Sequence, residues 1–365
     1  MKTLIVRIPA IKPPEQNFVR SMHFHLFLQP QLITMKKKIA IVAGGDSGEY
    51  GISIKSGSVV RDTIDPEKFD AFLIQIKGKD WFFEQEGKRY AIDKNDFSLT
   101  TASETVHFDA VFCAIHGTPG ENGKLPAYFE MLGIPCTSSD SITSAITFNK
   151  NFCNRIVASW GVNVANSLQF YNDGTAAPEK ILSSLTLPVF VKPNCGGSSV
   201  GMSKVNKAEE LEEAIKIAFR EDSEILIEEF VPGRELTCGV LQSKNQMTVF
   251  PVVEVVSKKE FFDYEAKYNP ALSEEIIPAP IPTSLDTKIK ETSAFLYKKL
   301  NCKGVVRFDY IYSAKNRKLY FLEVNTVPGL TTESIIPKMA REMGISLQEL
   351  FTKLIEDAIW RNRNR

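Results

Sequence analysis

The chain has 365 residues, enough to bury substantial cores in two or three domains. Its 44 Lys and Arg balance 44 Asp and Glu, so no charge excess favours nucleic acid or an anionic membrane surface as partner. A hydrophobic content of 43% with 24% charged residues is that of an ordinary globular protein, and no apolar run approaches transmembrane length.

The six cysteines (113, 136, 153, 195, 238, 302) are scattered and form no C-x-x-C. That pattern fits buried thiols in a reducing cytosol, so a cytoplasmic location is expected. No two histidines share zinc-ligand spacing with a cysteine.

Residues 1–35 differ from the rest. They hold Pro9, Pro13, Pro14 and Pro30, show no sustained periodicity, and carry no clean signal-peptide h-region. Met35 with three lysines then leads at once into an apolar, parallel-type strand. The reading is a start at Met35, with 1–35 a non-native or disordered extension; the alternative is a genuine tail.

Residues 36–139 read as a first domain. Strands at 38–43, 70–76 and 109–115 and a helix over 53–63 give a βαβ pattern, hence a parallel sheet with helices on its faces. Ligands in such sheets sit beyond the carboxyl ends of strands. Gly44–Glu49 and His116–Gly123 both follow strands directly, so both point to one crevice. His116 reads equally as a substrate neighbour or as a hydrogen-bonded structural residue.

Residues 140–235 form a central unit, with helices over 141–160 and 207–219 and strands at 188–193, 200–205 and 225–230. Leu211, Ile215 and Ala218 repeat at helical spacing. Lys192 precedes Gly196-Gly197-Ser198-Ser199, a glycine-rich loop between two strands. Glycines let backbone N–H groups approach an anion, and the serines add hydroxyl donors. No Walker pattern is present. Glu228, Glu229, Phe230, Val231 and Glu235 then alternate acids with an apolar pair, which suits an adenine slot and a ribose contact; taken alone, the segment reads equally as an ordinary hairpin.

Residues 236–365 complete the chain, with strands at 236–242, 247–256, 305–312 and 319–325 and helices over 286–300 and 346–360. Ser346 to Glu349 is a capping box, and Leu347, Leu350, Phe351, Leu354 and Ala358 form the buried stripe of the last helix. The segment 257–284 is long, rich in prolines and acids, and reads as a functional lid. The strands around Arg307, Asp309, Glu323 and Asn325 carry the strongest signal. Period-two alternation puts Arg307 with Asp309, and Glu323 with Asn325, on one face. A polar turn at 313–318 pairs the strands antiparallel. Two carboxylates and an amide oxygen suit Mg²⁺, which completes its octahedron with phosphate and water oxygens.

In this order the three segments resemble the ATP-grasp carboxylate–amine ligases, and within them the D-alanine–D-alanine ligases. The closer match rests on Gly44–Glu49, His116–Gly123, Asp263–Tyr268 and Asn325–Ser334, and runs from about Lys36 to about Trp360. Gly51, where the family often has Glu, and Cys195 in the phosphate loop depart from the pattern at positions without chemistry. The resemblance implies an α/β ATP-grasp fold of three domains, the first a parallel pre-ATP-grasp domain, in a homodimer. It implies ligation of two D-alanine molecules for peptidoglycan synthesis, using ATP and two Mg²⁺ or Mn²⁺.

By the same resemblance, Lys150 and Lys192 contact the nucleotide phosphates with Ser198 and Ser199. Glu228, Glu229, Phe230, Val231 and Glu235 hold adenine and ribose. Asp309, Glu323 and Asn325 hold metal, while Arg307 and the Gly329 N–H stabilise an oxyanion. Glu49 pairs with the first substrate's ammonium, and Lys267 and Ser334 bind the second's carboxylate. Tyr268 closes the lid through Ser198 and Glu49. A ligase for D-lactate or D-serine, or a non-catalytic nucleotide-binding homologue, are the competing readings.

Overall fold

The computed structural model describes residues 35–257 and 273–364. Its framework is three sheets. The first begins with β1 (Lys37–Gly44), whose six inner residues are fully covered, as a strand with apolar layers on both faces requires. β1 lies parallel to β2 (Phe69–Lys77) on one side and to β7 (Ala110–Cys113) on the other. Beyond β2 the sheet continues antiparallel through β3 (Asp80–Gln85), β4 (Lys88–Asp93), β5 (Ser98–Thr100) and β6 (Thr105–Val106). The expected parallel sheet is therefore only its three-stranded end. The rest is a meander whose strands mix half-buried and exposed residues without regular alternation, a weaker signal than the β1 run.

The crevice ends of β1 and β7 lead into helix α1 (Tyr50–Thr63) and, past the His116 loop, helix α2 (Lys124–Leu132). The helix expected over 141–160 is two, α3 (Ser141–Phe148) and α4 (Lys150–Ser159). Asn149 breaks it. Its extended backbone cannot continue α3, and its side chain accepts the Phe152 N–H to cap α4.

The second sheet has the order β10–β9–β11–β8, from β10 (Ser203–Val205), β9 (Val189–Pro193), β11 (Glu224–Glu229) and β8 (Ser167–Tyr171). Helices α5 (Pro178–Leu182) and α6 (Leu211–Glu221) accompany it, and Leu211, Ile215 and Ala218 enter its core. The strand expected over 200–205 begins only at Ser203. Before it, Ser198 and Ser199 both have left-handed backbones, at φ 53° and 57°. Such conformations cost non-glycine residues about 1–2 kcal/mol each.

The third sheet runs β15 (Ser273–Ile276), β14 (Val253–Ser257), β12 (Arg234–Ser243), β16 (Val305–Ser313), β17 (Lys318–Asn325), with β13 (Gln246–Val249) beside β12. The strand expected over 247–256 is thus two. The segment expected as a continuous loop over 257–284 also contains an edge strand, since β15 pairs with β14 from Ser257↔Ser273 to Glu254↔Ile276. Helix α7 (Thr283–Lys299) covers one face of this sheet. Helices α8 (Ile335–Glu342) and α9 (Leu347–Arg363) share the other face's core with β1, α1 and β7. Phe351 meets Phe112 edge-on at 5.5 Å. Truncating this fully buried ring to alanine is expected to cost about 3–5 kcal/mol. Ser346 accepts the Glu349 N–H at 3.1 Å, the first half of the expected capping box.

All six cysteines are free thiols. Among the described residues no helix is long and apolar enough to cross a membrane.

Candidate active site

Strands β16 and β17 pair antiparallel as expected, and their register sets Arg307 opposite Asn325 and Asp309 opposite Glu323, with an irregularity just after Asp309. Arg307 donates two bonds to Asp309, Nε to Oδ1 at 2.9 Å and Nη2 to Oδ2 at 2.8 Å. Asn325 Nδ2 donates to Asp309 Oδ2 at 3.0 Å, and Thr237 Oγ1 of β12 donates to Oδ1 at 2.6 Å. Burial alone would lower the Arg307 pKa, but the charges of Asp309, Glu323 and Glu121 outweigh it and hold the guanidinium protonated. Four hydrogen bonds fix this buried carboxylate in place.

A divalent cation fits these residues. Among the described residues no group of three or more His, Cys, Asp or Glu is placed to hold a metal ion. Two carboxylates on adjacent strands and an amide whose NH₂ is already engaged, leaving its oxygen to accept, are what Mg²⁺ takes when phosphate and water complete its shell.

Two cavities meet at this spot. One, of about 490 Å³, is lined by Lys192, Phe190, Glu228, Phe230, Val231 and Glu235. The other, of about 530 Å³, is lined by Glu49, His116, Glu121, Gly329, Ser334 and Lys338. Lys150, Ser198, Arg307, Asp309 and Glu323 line both.

In the first cavity Phe190 and Phe230 pack with centroids 5.8 Å apart, making an apolar slot. Lys192 and Glu228, read from sequence as separate phosphate and adenine contacts, form a buried ion pair with each other. Glu229, which the resemblance makes an adenine or ribose contact, lines this cavity with its carboxylate engaged. Asn166 Nδ2 and the Thr186 N–H donate to its two oxygens, each at 2.8 Å. Lys150 Nζ donates to the Gly196 carbonyl at 2.6 Å and lies 3.7 Å from Glu323. Ser199 lines the cavity in the strained stretch of the glycine-rich loop.

The two cavities are joined by a direct contact between distant segments. Ser198 Oγ donates to Glu49 Oε1. Gly197 permits this, because a Cβ there would sit 2.6 Å from a Glu49 carboxylate oxygen. In the second cavity His116 is buried, its Nδ1 donating to the Val327 carbonyl at 2.8 Å and its Nε2 paired with Ser56 Oγ at 3.1 Å. Both ring nitrogens are engaged by protein groups, and the residue also lines this cavity. Ser334 N-caps α8 by position, and its hydroxyl lies 2.8 Å from that of Thr331. Lys267 and Tyr268 lie outside the described residues.

Residues 38–139 match the family model for the D-ala D-ala ligase N-terminus, and residues 156–356 match that for the C-terminus. The chain belongs to the D-alanine–D-alanine ligase family. It is 45% identical over 321 residues to the D-alanine–D-alanine ligase of Flavobacterium johnsoniae, covering 88% of this chain and 98% of the relative. To that of Parabacteroides distasonis it is 42% identical over 326 residues, covering 89% and 98%. Among solved structures, VanG D-Ala:D-Ser ligase from Enterococcus faecalis superposes with a TM-score of 0.79 at 33% identity, over 88% of this chain and 99% of that one. D-alanyl-alanine synthetase A from Vibrio cholerae gives a TM-score of 0.81 at 25% identity, over 89% and 99%.

Set within this ligase family, one residue missed by sequence reasoning stands out. Glu121 was visible only as a member of the His116–Gly123 motif. Its Oε2 accepts the Gly117 N–H at 2.8 Å and its Oε1 accepts the Val327 N–H at 3.1 Å. It therefore ties the loop after β7 to the loop carrying Gly329, with its charge felt at Arg307. Its placement among turn residues was the available signal.

Proposed function

We infer that the chain joins two D-alanine molecules to D-alanyl-D-alanine at the expense of ATP, through a D-alanyl phosphate, releasing ADP and phosphate. The observation that carries this reading is the junction of the two cavities at Arg307, Asp309 and Glu323. A nucleotide in the strand-walled cavity and an amino acid in the other would bring the transferred phosphoryl and the accepting carboxylate to the same charged residues.

Two Mg²⁺ or Mn²⁺ ions, held by Asp309, Glu323 and Asn325, would neutralise and orient the phosphates. Lys150 and Lys192 add positive charge to the phosphate path, with Ser198, Ser199 and the loop amides. Phe190, Phe230 and Val231 give the adenine an apolar slot, and Glu228 and Glu235 offer acceptors. Arg307 and the Gly329 N–H stabilise the oxyanion that develops when the amine attacks. Glu49, held by Ser198, pairs with the first D-alanine's ammonium. Ser334, and by family resemblance Lys267, bind the second D-alanine's carboxylate, while Tyr268 completes the Ser198–Glu49 network. His116 orients the 327–330 loop.

The three sheets and their separate strand sets support a division at about 139 and 235. A cytoplasmic homodimer supplying peptidoglycan precursors is the setting this reading implies. A ligase for D-serine is the second reading, favoured by the likeness to the VanG enzyme. Coupled ADP release with D-alanine, D-serine and D-lactate as second substrates tests both. Turnover fastest with D-alanine alone is expected, and a preference for D-serine would overturn the reading.

A further inference from the structure

The second cavity has a charged corner that none of these roles uses. Helix α8 opens at Ser334, and the Lys338 N–H donates to the Ser334 carbonyl at 3.1 Å. Residues four apart share a helix face, so Lys338 lies one turn below Ser334 on the cavity side. Its Nζ donates to Glu275 Oε2 at 3.1 Å. A second carboxylate, Glu333, lies 3.7 Å away, but it is 79% exposed and belongs to the rim. Lys338 and Glu275 side chains are only 29% and 23% exposed. Their attraction is therefore less screened than that of an open surface pair.

The location gives the pair its meaning. Glu275 sits on the edge strand β15, opposite Val255, and lines the same cavity with Ser273. The apolar side of α8 is fixed elsewhere. Ile336 and Met339 pack over Gly239 of β12, so closely that a Cβ at Gly239 would sit 2.6 Å from Ile336. The ion pair is thus a polar tie between α8 and β15. Moving α8 moves Ser334, which lies so close to Gly329 that a Cβ there would sit 2.8 Å from its hydroxyl.

We propose that Lys338, held by Glu275, is a positioning residue for the second amino acid: the pair sets where Ser334 meets that substrate's carboxylate. The proposal rests on the assignment of this cavity to the second D-alanine. Positioning through another side chain changes binding of one substrate and leaves the others alone. Lys338→Met is expected to raise the Michaelis constant of the second D-alanine about tenfold, with those of ATP and the first D-alanine changed less than about twofold. Lys338→Arg, which keeps the pair, stays near wild type, and the exchange Lys338→Glu with Glu275→Lys recovers most of the loss. Should Lys338→Met fold poorly, Glu275→Gln breaks the same tie from the edge strand. An unchanged second constant in both variants, a uniform change in all three constants, or no recovery in the exchanged pair would overturn the proposal. Wild-type ADP release with D-alanine alone is measured alongside. Its absence would sink the functional reading itself, whereas its presence with unaltered variants would remove only this inference.

Discussion

The two cavities that meet at Asp309 are built in different ways. The first is walled by strands β9, β11, β12, β14, β16 and β17, whose side chains stand at period two on a hydrogen-bonded frame, and by the glycine-rich loop. The other shares β12, β14, β16 and β17 with it, and is completed by β15, by helix ends and by the loops around Glu49, His116 and Gly329. Its frame consists of side-chain bonds across long separations: Glu121 to Val327 spans 206 residues, and His116 to Val327 spans 211. On the function proposed above, the nucleotide is handled on the regular wall, whose geometry follows from the backbone, and substrate choice on the irregular wall, where one side chain can set the position of another segment.

The sharpest test removes the point common to both walls. Asp309→Ala takes away a buried carboxylate that accepts from Arg307, Asn325 and Thr237 and faces both cavities. Turnover is expected to fall roughly 10³-fold or more, the scale on which transition-state charge stabilisation is lost. Far-ultraviolet circular dichroism should be unchanged, because β16 keeps its ladder on both sides. Near wild-type ADP release would refute the metal and phosphate assignment.

A second test breaks the irregular wall alone. Both Glu121 oxygens accept backbone N–H groups, and glutamine has only one oxygen to offer. Glu121→Gln leaves one buried N–H facing a donor and removes a negative charge felt by Arg307. Turnover is expected to fall about 10- to 100-fold through displacement of the 327–329 loop, with nucleotide affinity held within about twofold. Equal losses in turnover and nucleotide affinity would show that the two walls are not independent.

The contrast between walls also explains what the sequence disclosed. Arg307, Asp309, Glu323 and Asn325 could be placed on one face because strand periodicity and an obvious polar turn fix their register. Helices with a strong apolar stripe, such as α6 and α9, were legible for the same kind of reason. The break at Asn149 was hidden because the residues on either side continue a helical pattern, and only the extended backbone of one capping residue divides them. The Lys192–Glu228 pair was hidden although both residues were singled out, because it depends on the β9–β11 pairing, which puts Lys192 opposite Leu226 and leaves Glu228 its diagonal neighbour. Glu121 and Lys338 were hidden because their meaning lies in partners far along the chain.

A third, smaller effect probes the regular wall. Phe230 packs against Phe190 and lies under the Lys204 ammonium at 4.5 Å, so its ring is part of a fixed apolar slot. Phe230→Ala is expected to weaken ATP binding about tenfold, through lost apolar contact and ring packing, while the Michaelis constants for D-alanine stay put. Calorimetric titration with a non-hydrolysable nucleotide reads this directly, and unchanged affinity would move the adenine elsewhere.

The smallest effect expected lies in the phosphate loop itself. Cys195 opens that loop, and its backbone N–H is held by Asp222 at 2.7 Å. Burial, with the nearby Asp222 charge, pushes its thiol up to about 11. The thiolate is the reactive form, so on the order of one Cys195 in 10⁴ is nucleophilic at pH 7. Iodoacetamide at pH 7 should therefore leave Cys195 unmodified in peptide mass maps and leave activity intact. Modification should quicken as pH rises toward 11, and bound nucleotide should slow it, because the loop lines the strand-walled cavity. Cys195→Ala should change turnover less than about twofold, since a thiol that stays neutral contributes no charge to the phosphates. Rapid alkylation at neutral pH with loss of activity would instead make Cys195 a working part of the nucleotide wall, and would end the view that this wall acts through its strand carboxylates, lysines and loop amides alone.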